Sequence, residues 1–133
     1  MLNLQNVQTF YGNIQALKGI DIDISEGEII TLIGANGAGK STTLMSICGI
    51  VPPRSGEILF MGQSIQDLNP NKIVSLGISQ VPEGRRIFPY LTVMENLDMG
   101  AFLRSDKSGI NQDIEYIYSL FPILAERRNQ AGG

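Results

Sequence analysis

The feature that most constrains this chain is a glycine-rich segment at residues 34–41, GANGAGKS. Gly34, Gly39, Lys40 and Ser41 occupy the fixed positions of the pattern G-x-x-x-x-G-K-[ST], and Gly37 adds a further glycine. Glycine lets the backbone turn tightly, so that its N–H groups approach phosphate oxygens. The pattern predicts a phosphate-binding loop, with Lys40 near the β- and γ-phosphates and the Ser41 hydroxyl available to Mg²⁺. The alternative is a glycine-rich turn that caps a helix.

The flanking sequence favours the phosphate loop. Residues 28–33, EIITLI, form a short apolar run that predicts a buried strand. Residues 41–48 predict a helix, and Gly49 and Pro52-Pro53 end it. The predicted apolar face of this helix consists of Leu44, Ile47 and Cys48. A strand, a loop and a helix therefore follow one another in the order that the motif requires.

Composition narrows the classes of protein further. A chain of 133 residues suffices for one domain with a contiguous core. Its net charge of −3 argues against nucleic acid as a partner, because such binding needs a basic surface. Histidine is absent from the sequence, which excludes His-based acid–base chemistry within it. The single Cys48 cannot form an internal disulfide, and we expect it in the core. We find no secretory signal or membrane span, so we expect a cytoplasmic location.

Periodicity predicts the other elements. Alternating residues indicate two antiparallel strands at 2–8 and 20–24, with a turn at Gly12-Asn13. Asn69-Pro70 predicts the start of a short helix, and the sequence T-x-x-E from Thr92 predicts a capping box. Strands are also predicted at 57–61 and 78–81. The helix from Asn69-Pro70 is predicted to end near residue 76, the helix from Thr92 is predicted to end near residue 101, and a further helix is predicted at 110–120.

With the phosphate loop placed after two strands, the chain resembles the ATP-binding subunit of an ABC transporter. The resemblance covers the whole chain and is carried by FYGNIQALKGIDIDISEGE, LIGANGAGKSTT, GIVPPRSGEILFMGQSI, ISQVPEGRRIFPYLTVMENL and LFPILAERRNQAGG. The segment VPEGRRIFPYLTVMENL is most similar to the subfamily that energises branched-chain amino-acid import. The resemblance implies an α/β fold with an antiparallel β entry at 1–27, a P-loop NTPase (RecA-like) core at 28–90, and the beginning of the ABC helical subdomain at 91–133.

The resemblance also assigns the nucleotide contacts, with ATP and Mg²⁺ as cofactors. Tyr11 falls where the family places an aromatic ring that stacks on adenine; the alternative is a half-buried strand tyrosine. Contacts to phosphate and Mg²⁺ fall on Gly34, Ala35, Asn36, Gly37, Ala38, Gly39, Lys40, Ser41 and Thr42.

Glu83 departs from the family pattern. Most ABC ATPases carry glutamine at the position five residues before a phenylalanine like Phe88, where its amide contacts Mg²⁺ or the attacking water. A carboxylate oxygen also suits Mg²⁺, so we expect Glu83 and Ser41 at the metal, and Glu83 and Lys40 in catalysis. Glu83 as a surface charge is the alternative, and Gln80 lies too early, inside the predicted strand.

Partners follow from the same resemblance. In the family, two ATPase subunits pair and act on membrane permeases, which receive substrate from an external binding protein. Residues Arg85–Tyr90 correspond to the region beside the permease groove, so we expect docking there and a peripheral position on the cytoplasmic face of the membrane. Alternatively, Ile87 and Phe88 pack under their own loop. The pair Arg127-Arg128 is expected to be solvated.

The family continues with an LSGG-type signature, a Mg²⁺-associated Asp, a catalytic Glu and a switch His, and none of these occurs in the 133 residues. We therefore expect a truncated chain, with the C-terminal half of the domain missing, that binds nucleotide without efficient turnover. Two other functions stay open. One is an ABC ATPase for another cargo, such as lipid or lipopolysaccharide export, and the other is a nonhydrolysing nucleotide-binding module.

Overall fold

The computed structural model describes residues 1–84 and 86–133, which form two compact units, Met1–Val81 and Pro82–Gly133. Arg85, part of the predicted docking segment, lies outside the described residues. The predicted domain boundaries at 27/28 and 90/91 stay predictions.

A four-stranded antiparallel sheet organises the first unit. It is built from β1 (Leu2–Tyr11), β2 (Ile14–Ile24), β3 (Ser55–Phe60) and β4 (Gln63–Ser64), in the spatial order β2-β1-β3-β4. The predicted antiparallel pair at the start of the chain is thus confirmed, with longer strands than the pattern indicated. Strand β3 begins two residues earlier and ends one residue earlier than the strand predicted at 57–61.

Short turns fix the register of both hairpins. Tyr11 pairs with Ile14 across a loop of two residues, and Gly12 has a φ of 60° at its first position. A two-residue turn in which only the first residue has a positive φ is typically of type II′. Met61 and Gly62 connect β3 to β4 with φ angles of 51° and 78°, as a type I′ turn requires.

A β-bulge at Asn6 shifts the phase of β1. Asn6 has a φ of 48°, and the strand register changes between Leu4 and Val7. Because one extra residue lies between them, Leu4 and Val7 both point into the core although they are three positions apart. Their neighbours in the core are Leu2, Leu17, Ile47, Ile58 and Ile65.

Helix α1 (Lys40–Ile47) packs a largely polar face inward. Its buried residues are Thr42, Thr43, Ser46 and Ile47. The predicted apolar face is wrong for Leu44, which is 44% exposed, and Cys48 is only partly buried. Burial raises the pKa of the Cys48 thiol. The predicted glycine stop is confirmed, since Gly49 follows the C-cap with a φ of 69°.

Helix α2 (Pro70–Ser75) begins and ends as predicted. Asn69 is its N-cap, with proline at the first helical position, and Gly77 follows the C-cap Leu76 with a φ of 98°. Ile73 is the buried residue of this helix.

Two predicted strands, 28–33 and 78–81, are absent from the residues that the structure describes. Ile29 and Ile33 are 96% and 92% exposed, and Val81 is exposed as well. An apolar run forms a strand only where neighbouring strands satisfy its backbone N–H and C=O groups. None of the described strands pairs with either segment. The prediction rested on the apolar composition of these segments and had no information about pairing.

The second unit contains α3 (Val93–Gly100), α4 (Lys107–Leu120) and α5 (Pro122–Glu126). The predicted capping box is confirmed: the Glu95 N–H donates to Thr92 Oγ1 over 3.2 Å, and the Thr92 N–H donates to Glu95 Oε2 over 2.7 Å. Helix α4 begins three residues earlier than predicted. In the part of the chain that the structure describes, no helix combines the length and apolar character needed to cross a membrane.

Candidate phosphate-binding site

The glycine-rich segment forms an irregular loop that leads directly into α1. Its glycines adopt conformations that other residues rarely take, with φ of 84° at Gly37 and 95° at Gly39. The Ala38 N–H donates to the Ala35 carbonyl oxygen over 3.1 Å, which closes a turn within the loop. Gly39 is the N-cap of α1. The loop therefore presents its backbone at the N-terminal end of a helix.

Gly39 is required by space as well as by conformation, and Gly34 is closely packed. A Cβ on Gly39 would lie 2.6 Å from Leu17 Cδ2, and one on Gly34 would lie 3.0 Å from the Ala38 methyl group. A Cβ on Gly37 would meet no atom within 4 Å. Gly39 is thus held against β2, whereas Gly37 faces open space, where a ligand can approach the backbone.

Lys40 extends back over the loop. Its Nζ donates to the carbonyl oxygens of Gly34 over 2.7 Å and of Ala35 over 2.9 Å. No carboxylate among the described residues forms an ion pair with it. An ammonium group has three donors and a full positive charge, so these two neutral acceptors leave its charge available to an anion.

The backbone adds further donors at the same place. Among the residues that the structure describes, no oxygen accepts a hydrogen bond from the N–H of Gly37, Gly39, Lys40 or Ser41. The first N–H groups of a helix lack partners within it and carry the positive end of the helix dipole. Together with the Lys40 ammonium, they make a cradle for an anion with several oxygens.

A nearby cavity has a different character. It measures about 290 Å³ and lies between β2 and the loop, lined by Lys40, Asp21 and mostly apolar side chains such as Ile20, Ile22 and Leu32. Although Lys40 lines it, the apolar side chains and the Asp21 carboxylate would disfavour a polyphosphate there. The chemistry therefore favours the N–H groups of the loop over this cavity as the anion site.

The structure brings Tyr11 to the same helix. Its hydroxyl lies 3.5 Å from Thr42 Oγ1 and 3.7 Å from Met45 Sδ, and the residue is 46% exposed. Tyr11 thus lies beside the predicted phosphate contact Thr42 and keeps an accessible ring. Sequence reasoning did not identify Met45, because nothing in the pattern showed which residue of the helix the ring would reach.

Ser41 and Glu83, the two predicted Mg²⁺ ligands, are both exposed. Ser41 is exposed in the first turn of α1, where its hydroxyl is accessible. Glu83 belongs to the second unit and is exposed, and its backbone carbonyl oxygen accepts from Arg86 Nε over 3.4 Å. The roles of Tyr11, Ser41 and Glu83 stay predictions.

The loop after Glu83 exposes apolar side chains. Ile87, Phe88 and Tyr90 are all exposed, Tyr90 by 96%. Asn96, which sequence reasoning missed, holds this loop: its Nδ2 donates to the Phe88 carbonyl oxygen over 3.0 Å, and its Oδ1 accepts from the Phe88 N–H over 2.9 Å. An asparagine within a helix gives no sequence signal for such a contact.

Comparison with known proteins decides the family. The sequence pattern described as "ABC transporter" matches residues 17–131. The chain belongs to the ABC transporter family. This confirms the resemblance predicted from the phosphate loop and the segments around it.

Curated relatives are named as transport or import ATP-binding proteins. The chain is 47% identical, over all its 133 residues and 57% of the relative's length, to the high-affinity branched-chain amino acid transport ATP-binding protein BraG of Pseudomonas aeruginosa. It is 39% identical, over 84% of the chain and 31% of the relative, to the spermidine/putrescine import ATP-binding protein PotA of Mesoplasma florum. The ribose import ATP-binding protein RbsA of Yersinia pestis is 37% identical over 88% of the chain and 23% of the relative. The chain thus spans little more than half of BraG and less than a third of the other two.

Solved structures confirm the fold. A dimeric ATP-binding cassette in a post-hydrolysis state, bound to ADP and phosphate, superposes with a TM-score of 0.82 at 24% identity, over 99% of this chain and 62% of that one. An ATP-binding subunit of an ABC transporter gives a TM-score of 0.74 at 30% identity, over 98% of this chain and 53% of that one. The first likeness shows the ABC cassette fold alone.

Proposed function

We propose that this chain is part of the ATP-binding subunit of an ABC importer, which couples ATP binding and hydrolysis to the import of branched-chain amino acids. The position of Lys40 is the main observation that supports a nucleotide site. Its ammonium lies 2.7 Å from the Gly34 carbonyl oxygen, at a helix N-terminus where several N–H groups lack acceptors among the described residues. This donor set suits the β- and γ-phosphates of ATP.

Different residues around the loop bind different parts of the nucleotide. Gly34 to Thr42 hold the phosphates, and the accessible ring of Tyr11 stacks on adenine. Ser41 and Glu83 supply oxygens to Mg²⁺, a hard cation that prefers such ligands. When bound, Mg²⁺ offsets the negative charge of the phosphates, which also makes a carboxylate at position 83 tolerable near them.

Hydrolysis needs groups beyond these. Positioning and electrostatic stabilisation by several residues together accelerate phosphoryl transfer, and residues 1–133 supply the cradle, Lys40 and two candidate oxygens for Mg²⁺. We propose that these residues on their own bind MgATP without efficient turnover. Measured ATP hydrolysis by residues 1–133 that Lys40→Ala abolishes would contradict this proposal.

The cargo proposal rests on the identity to BraG, whose name states branched-chain amino acid transport. The names of PotA and RbsA state other import cargoes, at lower identity and lower coverage. None of these three names states export of lipid or lipopolysaccharide. Uptake of labelled leucine by cells that lack the protein tests the proposal, with labelled spermidine and ribose as controls. Loss of leucine uptake alone supports it, and normal leucine uptake contradicts it.

The partners follow from the same function. We propose pairing with a second ATPase subunit at the cytoplasmic face of the membrane, and permease subunits that receive substrate from an external binding protein. The exposed Ile87, Phe88 and Tyr90, within the segment Arg85–Tyr90, offer an apolar surface to a permease segment. Ile87→Ser should weaken co-purification of the permease without weakening nucleotide binding.

Calorimetric titration with ATP, ADP and AMP in the presence of Mg²⁺ tests the nucleotide site. Because the loop contacts the β- and γ-phosphates, we expect ATP and ADP to bind more tightly than AMP. Equal affinities for all three nucleotides would contradict a phosphate-directed site. Binding without any hydrolysis by the whole protein, with its partners present, would favour the nonhydrolysing module instead.

A further inference from the structure

Arg54 holds the β1–β2 hairpin at three points. Its guanidinium lies 4.1 Å from the centre of the Phe10 ring, and its Nη2 donates to the Gly12 carbonyl oxygen over 2.8 Å. Its backbone N–H donates to the Gln8 carbonyl oxygen over 2.8 Å. One residue thus contacts the last part of β1 and the turn that follows it.

The residues that Arg54 contacts lie on either side of Tyr11 in the sequence, and none of these contacts involves the Tyr11 ring. Phe10 and Gly12 are its two neighbours, and adjacent side chains of a strand point to opposite faces. Arg54 therefore braces the hairpin from the face opposite to the Tyr11 ring. The ring itself faces α1, where its hydroxyl reaches Thr42 and Met45.

We propose that Arg54 is a positioning residue for the nucleotide base: it fixes the turn so that the Tyr11 ring stands ready to stack on adenine. The proposal rests on the proposed function, in which Tyr11 is the base contact. A two-residue hairpin loop is held by few contacts of its own, so an external brace narrows the orientations of the adjoining aromatic ring. A ring that is already oriented loses less conformational freedom when the base binds.

Arginine suits this position better than lysine. Its planar guanidinium can lie on the Phe10 ring and donate a hydrogen bond at its edge at the same time. A lysine ammonium keeps the positive charge but lacks the planar shape and the forked N–H donors of a guanidinium. The exposed position of Arg54 makes its substitution compatible with folding.

The test compares the affinity for a ligand that contains the base with the affinity for one that consists of phosphates only. Dissociation constants for ATP and for inorganic tripolyphosphate, both with Mg²⁺, are measured for the parent protein and for Arg54→Lys, Arg54→Met and Tyr11→Ala. Lys72→Met, which removes a positive charge on α2, is the matched control. We expect both Arg54 variants to weaken ATP binding by about threefold to tenfold, with tripolyphosphate binding unchanged. Unchanged tripolyphosphate affinity also shows that the variants are folded.

The outcomes distinguish this inference from the function on which it rests. If Tyr11→Ala weakens ATP binding selectively but both Arg54 variants behave as the parent, only the role of Arg54 is overturned. If Tyr11→Ala leaves the preference for ATP over tripolyphosphate unchanged, the stacking role of Tyr11 and the role of Arg54 both fail. A parallel loss of ATP and tripolyphosphate affinity in Arg54→Lys, absent in Lys72→Met, would assign Arg54 to the phosphates and also overturn the inference.

Discussion

The hydroxyl oxygens of Thr9 and Ser46 lie 2.8 Å apart, and the two residues are 0% and 1% exposed. This hydrogen bond joins β1 to α1, the helix that begins at the phosphate loop. We predict that Thr9→Val and Ser46→Ala each destabilise the protein by about 1–3 kcal/mol, because each leaves one buried hydroxyl without its partner. Urea unfolding of the single variants measures this.

The double variant Thr9→Val/Ser46→Ala provides the control. Removing both hydroxyl groups leaves neither unpaired, so its loss of stability should be smaller than the sum of the two single losses. Additive losses would show that the two hydroxyl groups are not energetically coupled.

A second prediction concerns the bulge in β1. A Cβ on Gly56 would lie 2.6 Å from the Asn6 carbonyl carbon and 2.7 Å from the Gln5 carbonyl oxygen, and Gly56 has a φ of 92°. Gly56→Ala should therefore cost roughly 2–5 kcal/mol, the sum of left-handed strain and a clash with backbone. Gly62→Ala is the matched control, with a φ of 78° but no atom within 4 Å, and should cost only about 1–2 kcal/mol. Equal costs for the two variants would contradict the contact with Asn6.

The phosphate loop allows a similar comparison. Gly39→Ala should reduce both stability and MgATP affinity, since its Cβ would lie 2.6 Å from Leu17 Cδ2 and push the loop away from β2. Gly37→Ala adds its methyl group in open space, so its main effect should be on the ligand that approaches there. Thermal unfolding without nucleotide distinguishes the two variants, because we expect a larger drop in Tm for Gly39→Ala than for Gly37→Ala. A larger drop for Gly37→Ala would contradict this loop geometry.

The capping box predicts a dependence of stability on pH. Hydrogen bonds from the Thr92 backbone N–H and then its hydroxyl lower the pKa of Glu95. Because this pKa is lower in the folded protein than in the unfolded chain, the carboxylate stabilises the fold above its unfolded pKa. That contribution is lost as the pH falls through the folded pKa.

Urea midpoints of the parent and of Glu95→Gln from about pH 7 to about pH 3 measure the effect. Glutamine also accepts in a capping box but does not titrate over this range. The parent should therefore lose more stability than the variant on acidification. Parallel curves would show that the ionisation of Glu95 is not linked to folding.

Local chemistry explains which parts of the fold could be predicted. The helix start at Asn69-Pro70 and the capping box at Thr92 depend on residues that lie within three positions of each other, and the structure contains both. The bulge in β1 could not be predicted from the residues around it. The bulge at Asn6 depends on the close approach of Gly19 and Gly56 from the neighbouring strands.

The other differences depend on the rest of the chain. The run at 28–33 has the composition of a buried strand, but strand formation requires a partner, and Ile29 is 96% exposed. Leu44 was assigned to the core by helical period, whereas the buried face of α1 carries Ser46, which meets Thr9. A polar pair between distant elements leaves no trace in hydrophobic periodicity. The phosphate loop was predictable because its pattern fixes backbone and charge together within eight residues.

The most direct test of the account is the affinity of the protein for MgATP with and without the Lys40 ammonium. We predict that Lys40→Met weakens MgATP binding by about tenfold to a hundredfold, because a charge-assisted contact to phosphate is lost. Lys72→Met, with the same change of charge on α2, should bind as the parent does. Equal MgATP affinity in Lys40→Met and in the parent, measured by calorimetric titration, would contradict the proposed nucleotide site.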